Sequence, residues 1–278
     1  MKARDRWNHI LGLMSREGYA EITTIADSLG VSPATVRRDL DRLADQQLLT
    51  RTRGGAVSNS TAYDLPLRYN AERNVSQKTA IAAAASARVA DHSVVAITGG
   101  TTTTEVARAL ALRSEQDASG QSALTIVTNA INIANELTVR ANIRLVVLGG
   151  VVRPQSYEST GHLAELTLGE IAIDEAIIGG NAVDSRHGLY CHNESEAAIA
   201  RAIQARAIRT TIVADASKLG AHAFARICGA EQITTLVTDW RAPRDWVAEF
   251  EEAGAEVVIA TPPPETSAPP RDAVADLG

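Results

Sequence analysis

Residues 29–43, LGVSPATVRRDLDRL, decide the architecture of the N-terminal part of the chain. Ser32 is a favoured N-cap residue and Pro33 suits the first helical position, so we expect a helix to begin here. Three aliphatic side chains then fall on one stripe of this helix: Val36, Leu40 and Leu43. At about 100° per residue, Arg38 points away from that stripe and Arg37 lies on its flank. The pattern predicts a helix that packs on one face and is cationic on the other.

A second helical segment precedes this helix at the spacing of a helix-turn-helix. Thr23 or Thr24 is expected to cap it, and Gly30 to end it in a left-handed conformation. Val31 can fill the angle between the two helices. A still earlier helix is predicted from apolar residues at positions i, i+3, i+4 and i+7: Trp7, Ile10, Leu11 and Met14. The three helices together predict a small core.

Residues 50–57, TRTRGGAV, predict a β-hairpin after the second helix of this pair. Its residues alternate in character on either side of a turn at Gly54 and Gly55, which is typical of the wing of a winged helix. Arg51 and Arg53 would lie on this wing. Exposed arginines suit bidentate contacts to guanine edges or clamps on phosphates. An ordinary amphipathic surface helix is the alternative. The helix-turn-helix spacing and the wing favour DNA binding over it.

Length and charge indicate two domains of different character. At 278 residues the chain exceeds one typical domain. Its formal charge is −6, but residues 1–58 hold nine Lys and Arg against seven Asp and Glu, so the acidic excess belongs to the remainder. Affinity for DNA must therefore come from the placement of charge and from a second copy of the domain. We accordingly expect a homo-oligomer and an operator with repeated half-sites.

Cysteine and histidine usage argues against a disulfide framework or a metal site. Cys191 and Cys228 are isolated and suit packed side chains in a reducing compartment. The histidines have no metal-ligand spacing, so we expect no metal and no cofactor. The N-terminus has no hydrophobic signal region, and no apolar run approaches the ~20 residues of a membrane span. The sequence predicts a cytoplasmic protein without membrane contact.

Apolar segments alternate with helical patterns in the rest of the chain, which predicts an α/β fold class with a parallel sheet. The predicted strands are mostly continuous apolar runs, as strands covered on both faces should be: residues 93–98, 124–128, 144–148, 175–178, 210–214, 235–238 and 256–259. Helical spacing recurs in four segments: 77–89, 105–112, 131–137 and 194–208.

Two domains, a linker and a tail follow from these patterns. A small DNA-binding domain is expected at 3–58 and a larger parallel-sheet α/β domain at 77–260. Residues 59–76 mix small polar and charged residues without a period, as a linker would. Residues 261–278 are proline-rich and core-poor, so we expect them to be disordered.

In an open parallel sheet, ligands bind beyond the carboxyl ends of the strands. After the strand at 93–98, the sequence GGTTTT at 99–104 leads into a helix expected near Glu105. Glycine lets the backbone approach an anion, and a helix N-terminus offers N–H groups and a positive dipole end, so this loop suits phosphate. A glycine turn with a threonine cap is the alternative. The loop is neither a Walker loop nor GxGxxG, which argues against nucleoside triphosphates and dinucleotides.

Small, hydroxyl, amide and cationic residues follow four further strands, at 128–129, 149–153, 179–181 and 215–218. Each group alone could be turn chemistry. Together they place at one sheet edge the composition expected around a polyhydroxylated phosphate. With the loop at 99–104 they give ten candidate ligand-binding residues: Gly100, Thr101, Thr102, Thr128, Asn129, Gly149, Gly150, Arg153, Asp215 and Lys218.

The N-terminal motifs resemble the DNA-binding domain of the DeoR family of bacterial transcription regulators. The matching segments are LGVS at 29–32, TVRRDL at 35–40 and LTRTRGGA at 49–56. The resemblance implies DNA contacts from the second helix of the pair and from the wing. The predicted DNA-binding residues, to which the helix pattern adds the flanking Arg42, are Ser32, Thr35, Arg37, Arg38, Arg42, Arg51 and Arg53.

The larger domain resembles the effector domain of the same family. The matching segments are GGTTTTEVARAL at 99–110, LTIVTNA at 124–130, VVLGGVVR at 146–153, NESEA at 193–197 and DASKLG at 215–220. The resemblance implies a fold similar to ribose-5-phosphate isomerase and a phosphorylated sugar as effector. By position it assigns the phosphate to residues 100–102, the sugar to Thr128, Asn129 and Gly149, and a phosphate or hydroxyl to Lys218.

This sequence departs from the family at two positions: Thr98 stands where an aspartate is usual, and a lysine common near Ala200 is absent. The first departure removes a charge that could bind hydroxyls or repel anions. This departure bears on the identity of the effector more than on the position of the site.

A sugar-phosphate isomerase with a DNA-binding appendage is the main alternative. Proton transfer needs a carboxylate base and a polarising lysine, and four residues could nominally supply them: Asp184, Glu194, Glu196 and Lys218. The first opens a turn and the two glutamates suit the first turn of a helix, so we prefer a regulator. A purely architectural DNA protein would leave the ligand-like loops unexplained. The sequence thus predicts a DNA-binding regulator, with repression as its output, controlled by a phosphorylated sugar or polyol.

Overall fold

The computed structural model describes residues 1–46, 48–58, 67, 71, 73–116 and 124–262. Most of the predicted linker at 59–76 and of the tail expected to be disordered at 261–278 lies outside these described residues. At the end of the linker, helix formation begins at Val75, two residues before the predicted start of the larger domain.

Three helices and a small antiparallel sheet form the N-terminal domain. The helices are α1 (Ala3–Glu17), α2 (Ile22–Leu29) and α3 (Pro33–Asp45), and the strands are β1 (Tyr19–Glu21), β2 (Leu49–Thr52) and β3 (Gly55–Ser58). Strand order is β1-β3-β2, so β2 and β3 form the predicted wing. The sequence pattern does not predict β1, which pairs with the other edge of β3. Apolar residues of all three helices and of the sheet form one core.

The turn of the helix-turn-helix follows the prediction with one correction. Gly30 has φ +61°, and its N–H donates to two carbonyls of the last turn of α2. Val31 packs against the core, as expected. The predicted cap at Thr23 or Thr24 is wrong, because the chain passes directly from β1 into α2 and Glu21 occupies the cap position.

A seven-stranded parallel sheet forms the larger domain and confirms the α/β fold class. Its strands are β4 (Val94–Ile97), β5 (Leu124–Thr128), β6 (Ile143–Val147), β9 (Ile173–Ile178), β12 (Ala207–Val213), β14 (Thr235–Asp239) and β15 (Glu256–Ala260). Each overlaps a predicted strand. The spatial order is β15-β14-β12-β9-β4-β5-β6.

Helices cover both faces of this sheet. They are α4 (Val75–Ser86), α5 (Thr101–Gln116), α6 (Ile131–Leu137), α7 (His162–Leu168), α8 (Glu194–Gln204) and α9 (Arg244–Glu252). Neighbouring residues of β4 point to opposite faces: Val95 packs in a cluster with α4, α5 and α6, whereas Ala96 packs in a cluster with α7, α8 and α9. Several helix boundaries differ from prediction: α4 covers 75–86 rather than 77–89, and α5 ends at Gln116 rather than Leu112. Helix α5 begins at Thr101 rather than near Glu105, and α8 ends at Gln204 because the chain joins β12 from Ala207.

Five short strands complete the larger domain. The hairpin of β7 (Val151–Arg153) and β8 (Glu158–Thr160) follows β6, and β10 (Ala182–Asp184), β11 (Gly188–Cys191) and β13 (Ala225–Cys228) form an antiparallel sheet. The sequence pattern does not predict these strands, because three or four residues with polar members give no apolar run. In the described ranges, no helix is both long enough and apolar enough to cross a bilayer.

Candidate functional site

Helix α3 presents predicted DNA-binding side chains at its surface. The Ser32 Oγ accepts a hydrogen bond from the Thr35 N–H at 3.2 Å, and the two hydroxyl oxygens lie 3.0 Å apart. Val36, Leu40 and Leu43 are fully buried, which confirms the packing stripe. The three arginines of the helix are exposed: Arg37, Arg38 and Arg42. The helix therefore offers a cationic surface whose N-terminal turn is fixed by its own cap.

The buried side of α3 holds a carboxylate that the sequence analysis does not assign. Asp39 is 3% exposed. Its Oδ2 accepts a hydrogen bond from Arg6 Nε at 2.7 Å, and its Oδ1 accepts from Arg6 Nη2 at 3.1 Å and from Trp7 Nε1 at 2.8 Å. The hydrogen bond to Asp39 raises the pKa of the Arg6 guanidinium above its ordinary value. Helix α1 therefore holds α3 by a bidentate ion pair in addition to apolar packing.

The two wing arginines differ in their surroundings. Arg51 Nε lies 2.9 Å from the Asp41 carboxylate of α3, and Arg51 Nη1 donates to the Gly55 carbonyl at 3.3 Å. Arg53 is exposed at the turn, next to Gly54 with φ +96°. Arg51 thus links the wing to α3, whereas Arg53 is presented to solvent.

A cavity of about 180 Å³ opens at the carboxyl ends of β4, β9 and β12. Its walls come from the turns after these strands, the β7–β8 turn, and the first turns of α4, α5 and α8. Six of the ten predicted ligand-binding residues line it: Gly100, Thr101, Thr102, Arg153, Asp215 and Lys218. The cavity therefore lies at the sheet edge where an open parallel sheet binds ligands.

The N-terminus of α5 forms one wall of the cavity. Gly100 has φ +140°, a conformation that favours glycine. Its carbonyl accepts hydrogen bonds from the Thr104 N–H at 3.1 Å, the Thr104 hydroxyl at 2.6 Å and the Thr103 hydroxyl at 3.1 Å. Thr101 and Thr102 are half-buried and line the cavity. The first turn of a helix leaves N–H groups without helical acceptors, so this wall suits an anion.

Three cationic residues line the cavity near this wall: Arg73, Lys78 and Lys218. The chain contains only three lysines, and two of them are here. Burial lowers the pKa of Lys78 to about 8, with Asp215 opposing the shift. Burial also lowers the pKa of Lys218, again against the influence of Asp215. Asp215 is buried and accepts hydrogen bonds from Asn74 Nδ2 at 3.2 Å and the Ser217 N–H at 3.0 Å. Poorly solvated positive charge of this kind favours a bound anion.

Two further carboxyl groups lie in the wall. Glu158 on β8 is buried, and its Oε2 accepts a hydrogen bond from Asn129 Nδ2 at 2.9 Å. Burial first, and then Glu196, raise the pKa of Glu158 to about 7, while hydrogen bonds from Asn129 and the Gly99 N–H oppose the shift. Glu196, in the first turn of α8, accepts from Arg153 Nη1 at 3.0 Å. Burial in this wall therefore favours the neutral form of the Glu158 carboxyl group.

Thr128 and Asn129, predicted to bind a ligand, are not among the residues that line the cavity. Both are fully buried. The Thr128 hydroxyl donates to the Ile97 carbonyl at 2.7 Å and accepts from the Ala130 N–H at 3.1 Å, so it joins β5 to β4 and fixes the following turn. The Asn129 amide supports Glu158 from behind the wall.

Gly149 and Gly150 also lie outside the cavity lining. Gly149 is exposed. Gly150 has φ +142°, and a Cβ there would come 2.6 Å from the Thr160 carbonyl oxygen, so glycine permits the close pairing of β7 with β8. Turn chemistry, the alternative considered for these positions, accounts for Gly150.

Several lining residues are not among the ten predicted ligand-binding residues: Arg73, Asn74, Lys78, Glu158 and Glu196. The position of Lys78 in the cavity wall could have been predicted from helical spacing. It stands three and seven residues before the buried Ile81 and Ala85, so it lies on the apolar face of α4. Asn74 has φ +52° immediately before the same helix.

The two departures from the family pattern both lie at the cavity. The Thr98 hydroxyl accepts a hydrogen bond from the Gly179 N–H at 3.3 Å, so it joins the turns after β4 and β9. Ala200 is buried and lines the wall from α8. Over the described part of the chain, no group of three His, Cys, Asp or Glu is placed to hold a metal ion.

Two family descriptions match the chain. The DeoR-like helix-turn-helix domain matches residues 6–62, and the DeoR C terminal sensor domain matches residues 73–240. In solved structures, ribose 5-phosphate isomerase A from Methanocaldococcus jannaschii is similar over 51% of this chain and 53% of its own, at 19% identity and a TM-score of 0.38.

Curated relatives match over most of their own length. The HTH-type transcriptional regulator GlpR of Haloferax volcanii is 33% identical over 93% of this chain and 98% of its own. The glycerol-3-phosphate regulon repressor of Escherichia coli K12 is 30% identical over 87% and 93%, respectively. The transcriptional repressor AccR of Agrobacterium fabrum is 31% identical over 85% and 89%. The chain belongs to the DeoR family of transcription regulators, with an N-terminal DNA-binding helix-turn-helix domain and a C-terminal sensor domain.

Proposed function

We propose that this regulator is a repressor whose affinity for a duplex DNA operator is set by a phosphorylated sugar or polyol in the cavity of its sensor domain. The observation that carries the proposal is the meeting of the α5 N-terminus with three cationic residues in one cavity, the exposed Arg73 and the poorly solvated Lys78 and Lys218. A phosphate group supplies the charge that this wall is suited to hold. The Escherichia coli relative is named for glycerol 3-phosphate, which supports a small phosphorylated polyol.

The remainder of the cavity supports a hydroxylated ligand. Ser156 lines the wall, and its buried Oγ makes no hydrogen bond to any of the described residues. A buried hydroxyl without a partner is costly, and a ligand hydroxyl would satisfy it. Free sugars would leave the cations uncompensated, so we expect them to bind weakly.

Calorimetry and DNA binding together test this proposal. A panel of sugar and polyol phosphates is titrated into the full chain beside the dephosphorylated compounds. Operator fragments are obtained by repeated selection from random duplex DNA. We expect only phosphorylated compounds to bind and to change operator affinity. Equal binding of the free sugars would contradict the assignment of the phosphate to this cavity.

Contacts of the candidate carboxylates support a binding site rather than an isomerase. Asp184 accepts hydrogen bonds from the Arg186 and His187 N–H groups at 2.9 and 2.8 Å and so closes a turn. Glu194 is exposed, and Glu196 is paired with Arg153. We therefore expect no interconversion of ribose 5-phosphate and ribulose 5-phosphate in an NMR assay, and turnover would favour the enzyme.

A homo-oligomer is part of the same proposal. An excess of two positive charges in residues 1–58 gives little bulk attraction to DNA, so a second copy is needed for a unique genomic site. Symmetric copies bind repeated half-sites. Sedimentation of the full chain at micromolar concentration tests this, and a monomer would contradict it.

A further inference from the structure

The cavity has a buried carboxyl group directly beside the turn that leads into α5. Glu158 begins β8, opposite Arg153 of β7. A Cβ built on Gly99 would fall 2.3 Å from Glu158 Cγ and 2.6 Å from its Oε1. The carboxyl arm therefore lies flat against the backbone of residue 99, next to the wall assigned to the phosphate. Glycine at position 99 is what makes room for it.

Groups from five neighbouring elements face this carboxyl: Gly99 and Asn129 from two strand-end turns, Arg153 on β7, Cys191 on β11 and Glu196 on α8. The N–H of Gly99 and the amide of Asn129 donate to it. Arg153, its cross-strand neighbour, is already paired with Glu196 at 3.0 Å. Burial outweighs these hydrogen bonds and the charge of Arg153, so the pKa of this carboxyl rises to about 7.

The charges of the lining residues define which anion the cavity matches. Among the lining residues that the structure describes, the cations are Arg73, Lys78, Arg153 and Lys218, and the carboxyl groups are Glu158, Glu196 and Asp215. With all three carboxyl groups ionised, the wall has one positive charge in excess. With Glu158 neutral it has two, which equals the charge of a phosphate monoester dianion. An ionised Glu158 would instead place a like charge beside the phosphate.

We propose that Glu158 determines the selectivity of the cavity for a phosphoryl dianion by entering the complex as the neutral acid, whose hydroxyl donates a hydrogen bond to the ligand. The proposal rests on the proposed function, that is, on a phosphate ester in this cavity. When Glu158 is ionised, ligand binding takes up one proton from solvent onto its carboxylate. No covalent bond to the ligand forms or breaks.

The proposal predicts that affinity for the anion decreases with increasing pH. Binding of an anion raises the pKa of Glu158 further above its ligand-free value of about 7, so affinity falls as pH rises through that value. Between pH 6 and pH 8 the ionisation of a group with a pKa of about 7 weakens binding about tenfold. Lys78, with a pKa of about 8, adds a further loss above pH 8. That loss belongs to the lysine and persists when Glu158 is replaced.

Glu158→Gln is the informative variant, because the amide is neutral at every pH, donates to a ligand and still accepts from Asn129. Glu170→Gln removes the same charge at an exposed position and serves as the matched control. The probes are glycerol 3-phosphate, inorganic phosphate and inorganic sulfate. Sulfate stays a dianion throughout this range, so its binding reports only protons taken up by the protein.

Calorimetry of the full chain at pH 7 in two buffers of different ionisation enthalpy measures proton uptake. We expect the parent protein and Glu170→Gln to take up about half a proton more per bound sulfate than Glu158→Gln, in which only the small contribution of Lys78 remains. Between pH 6 and pH 8, sulfate affinity should fall about tenfold more in the parent than in Glu158→Gln. The parent measurement needs no variant, so it stands even if Glu158→Gln fails to fold.

The outcomes separate this inference from the proposed function. If none of the three probes and no compound of the sugar and polyol phosphate panel binds, both the proposed function and this inference fail. If a probe binds without proton uptake and with the same pH dependence in Glu158→Gln, the phosphate site stands and the role of Glu158 is overturned. Loss of binding in a folded Glu158→Gln protein overturns it too, because the carboxylate would then be needed in its ionised form.

Discussion

Asp39 of α3 and Arg6 of α1 form a bidentate ion pair on the buried side of α3, the helix predicted to read DNA, with N–O distances of 2.7 and 3.1 Å. Asp39→Ala would leave the Arg6 guanidinium and the Trp7 indole N–H without this acceptor. Removing one member of a buried ion pair costs about 3 kcal/mol or more. We expect a loss of that size in the N-terminal domain, measured by urea denaturation with Trp7 fluorescence as the local probe.

Asp45→Ala is the control for this experiment, since Asp45 is exposed on the same helix. A change within about 0.5 kcal/mol is expected there. The other two tryptophans, Trp240 and Trp246, are replaced by Phe in all proteins so that fluorescence reports α1 alone. Equal stability of Asp39→Ala and Asp45→Ala would mean that the ion pair adds nothing beyond apolar packing.

Arg38→Ala should weaken binding to the selected operator by about 1–3 kcal/mol and relax sequence preference at one position of each half-site. The reason is its exposure near the capped N-terminal turn of α3, where a guanidinium can reach a base edge. Fluorescence anisotropy with operator and scrambled DNA measures both effects. Arg144→Ala, an exposed arginine of β6, is the control. An unchanged operator affinity for Arg38→Ala would place DNA on another face of the helix.

Arg51 and Arg53 are predicted to act differently on DNA. Arg53→Ala should weaken binding to all DNA sequences by the same factor and reduce the slope of log affinity against log salt concentration by about one. Arg51 forms an ion pair with Asp41 of α3, so Arg51→Ala also leaves the Asp41 carboxylate without its partner arginine. Adding Asp41→Ala should therefore restore part of the affinity lost in Arg51→Ala. If the double variant binds no better than Arg51→Ala alone, the arginine acts on phosphate and its pairing with Asp41 is irrelevant to DNA binding.

The fold was predictable where a residue acts through local backbone chemistry. Gly30, Ser32 and Pro33 set the helix-turn-helix because capping and left-handed turns depend on a few neighbours. The seven parallel strands were predictable because strands buried on both faces read as apolar runs. Strand β8 was not, since Glu158 and Thr160 are polar and become buried only through the surrounding fold.

The candidate site was predictable in part, for the same reason. Gly100 and Lys218 lie in the segments that follow β4 and β12, and the carboxyl ends of parallel strands converge. Arg73 and Glu158 reach the cavity from a linker and a hairpin whose positions depend on tertiary packing. Asn129 shows the opposite case: it follows a strand as a site residue should, but its amide is buried behind the wall.

Two of the three lysines of the chain line the cavity, which allows a chemical test of occupancy. Acetic anhydride at pH 8 acetylates deprotonated amines, and the lowered pKa of Lys78, about 8, favours its reaction. Glycerol 3-phosphate at ten times its Kd should slow acetylation of Lys78 and Lys218 about tenfold, because only the unoccupied fraction reacts. Mass spectrometry of the peptides measures each rate. Lys2, in the DNA-binding domain, is the internal control, and equal slowing at Lys2 would show a non-specific effect.

Coupling between ligand and DNA is predicted to depend on Arg73. This residue lies between the two domains in sequence and lines the cavity, and its charge contributes to the lowered pKa of both Lys78 and Lys218. A phosphate held by Arg73 and Lys218 together would fix the end of the linker to the sensor domain. A coupling free energy of about 1–3 kcal/mol would change operator affinity about 5- to 150-fold.

Arg73→Gln and Lys218→Ala should therefore differ when glycerol 3-phosphate is saturating. Lys218→Ala needs more ligand, but once saturated it should show the full change in operator affinity, because Arg73 still joins the phosphate to the linker. Arg73→Gln should bind the ligand, but its operator affinity should change little when the ligand binds. Anisotropy titrations of operator DNA with and without saturating ligand measure the ratio, and Arg88→Gln, an exposed arginine beyond the end of α4, is the control. If Arg73→Gln keeps the full ligand-induced change in operator affinity, the signal leaves the cavity by another route. If Lys218→Ala loses that change at saturating ligand, the coupling runs through the turn after β12.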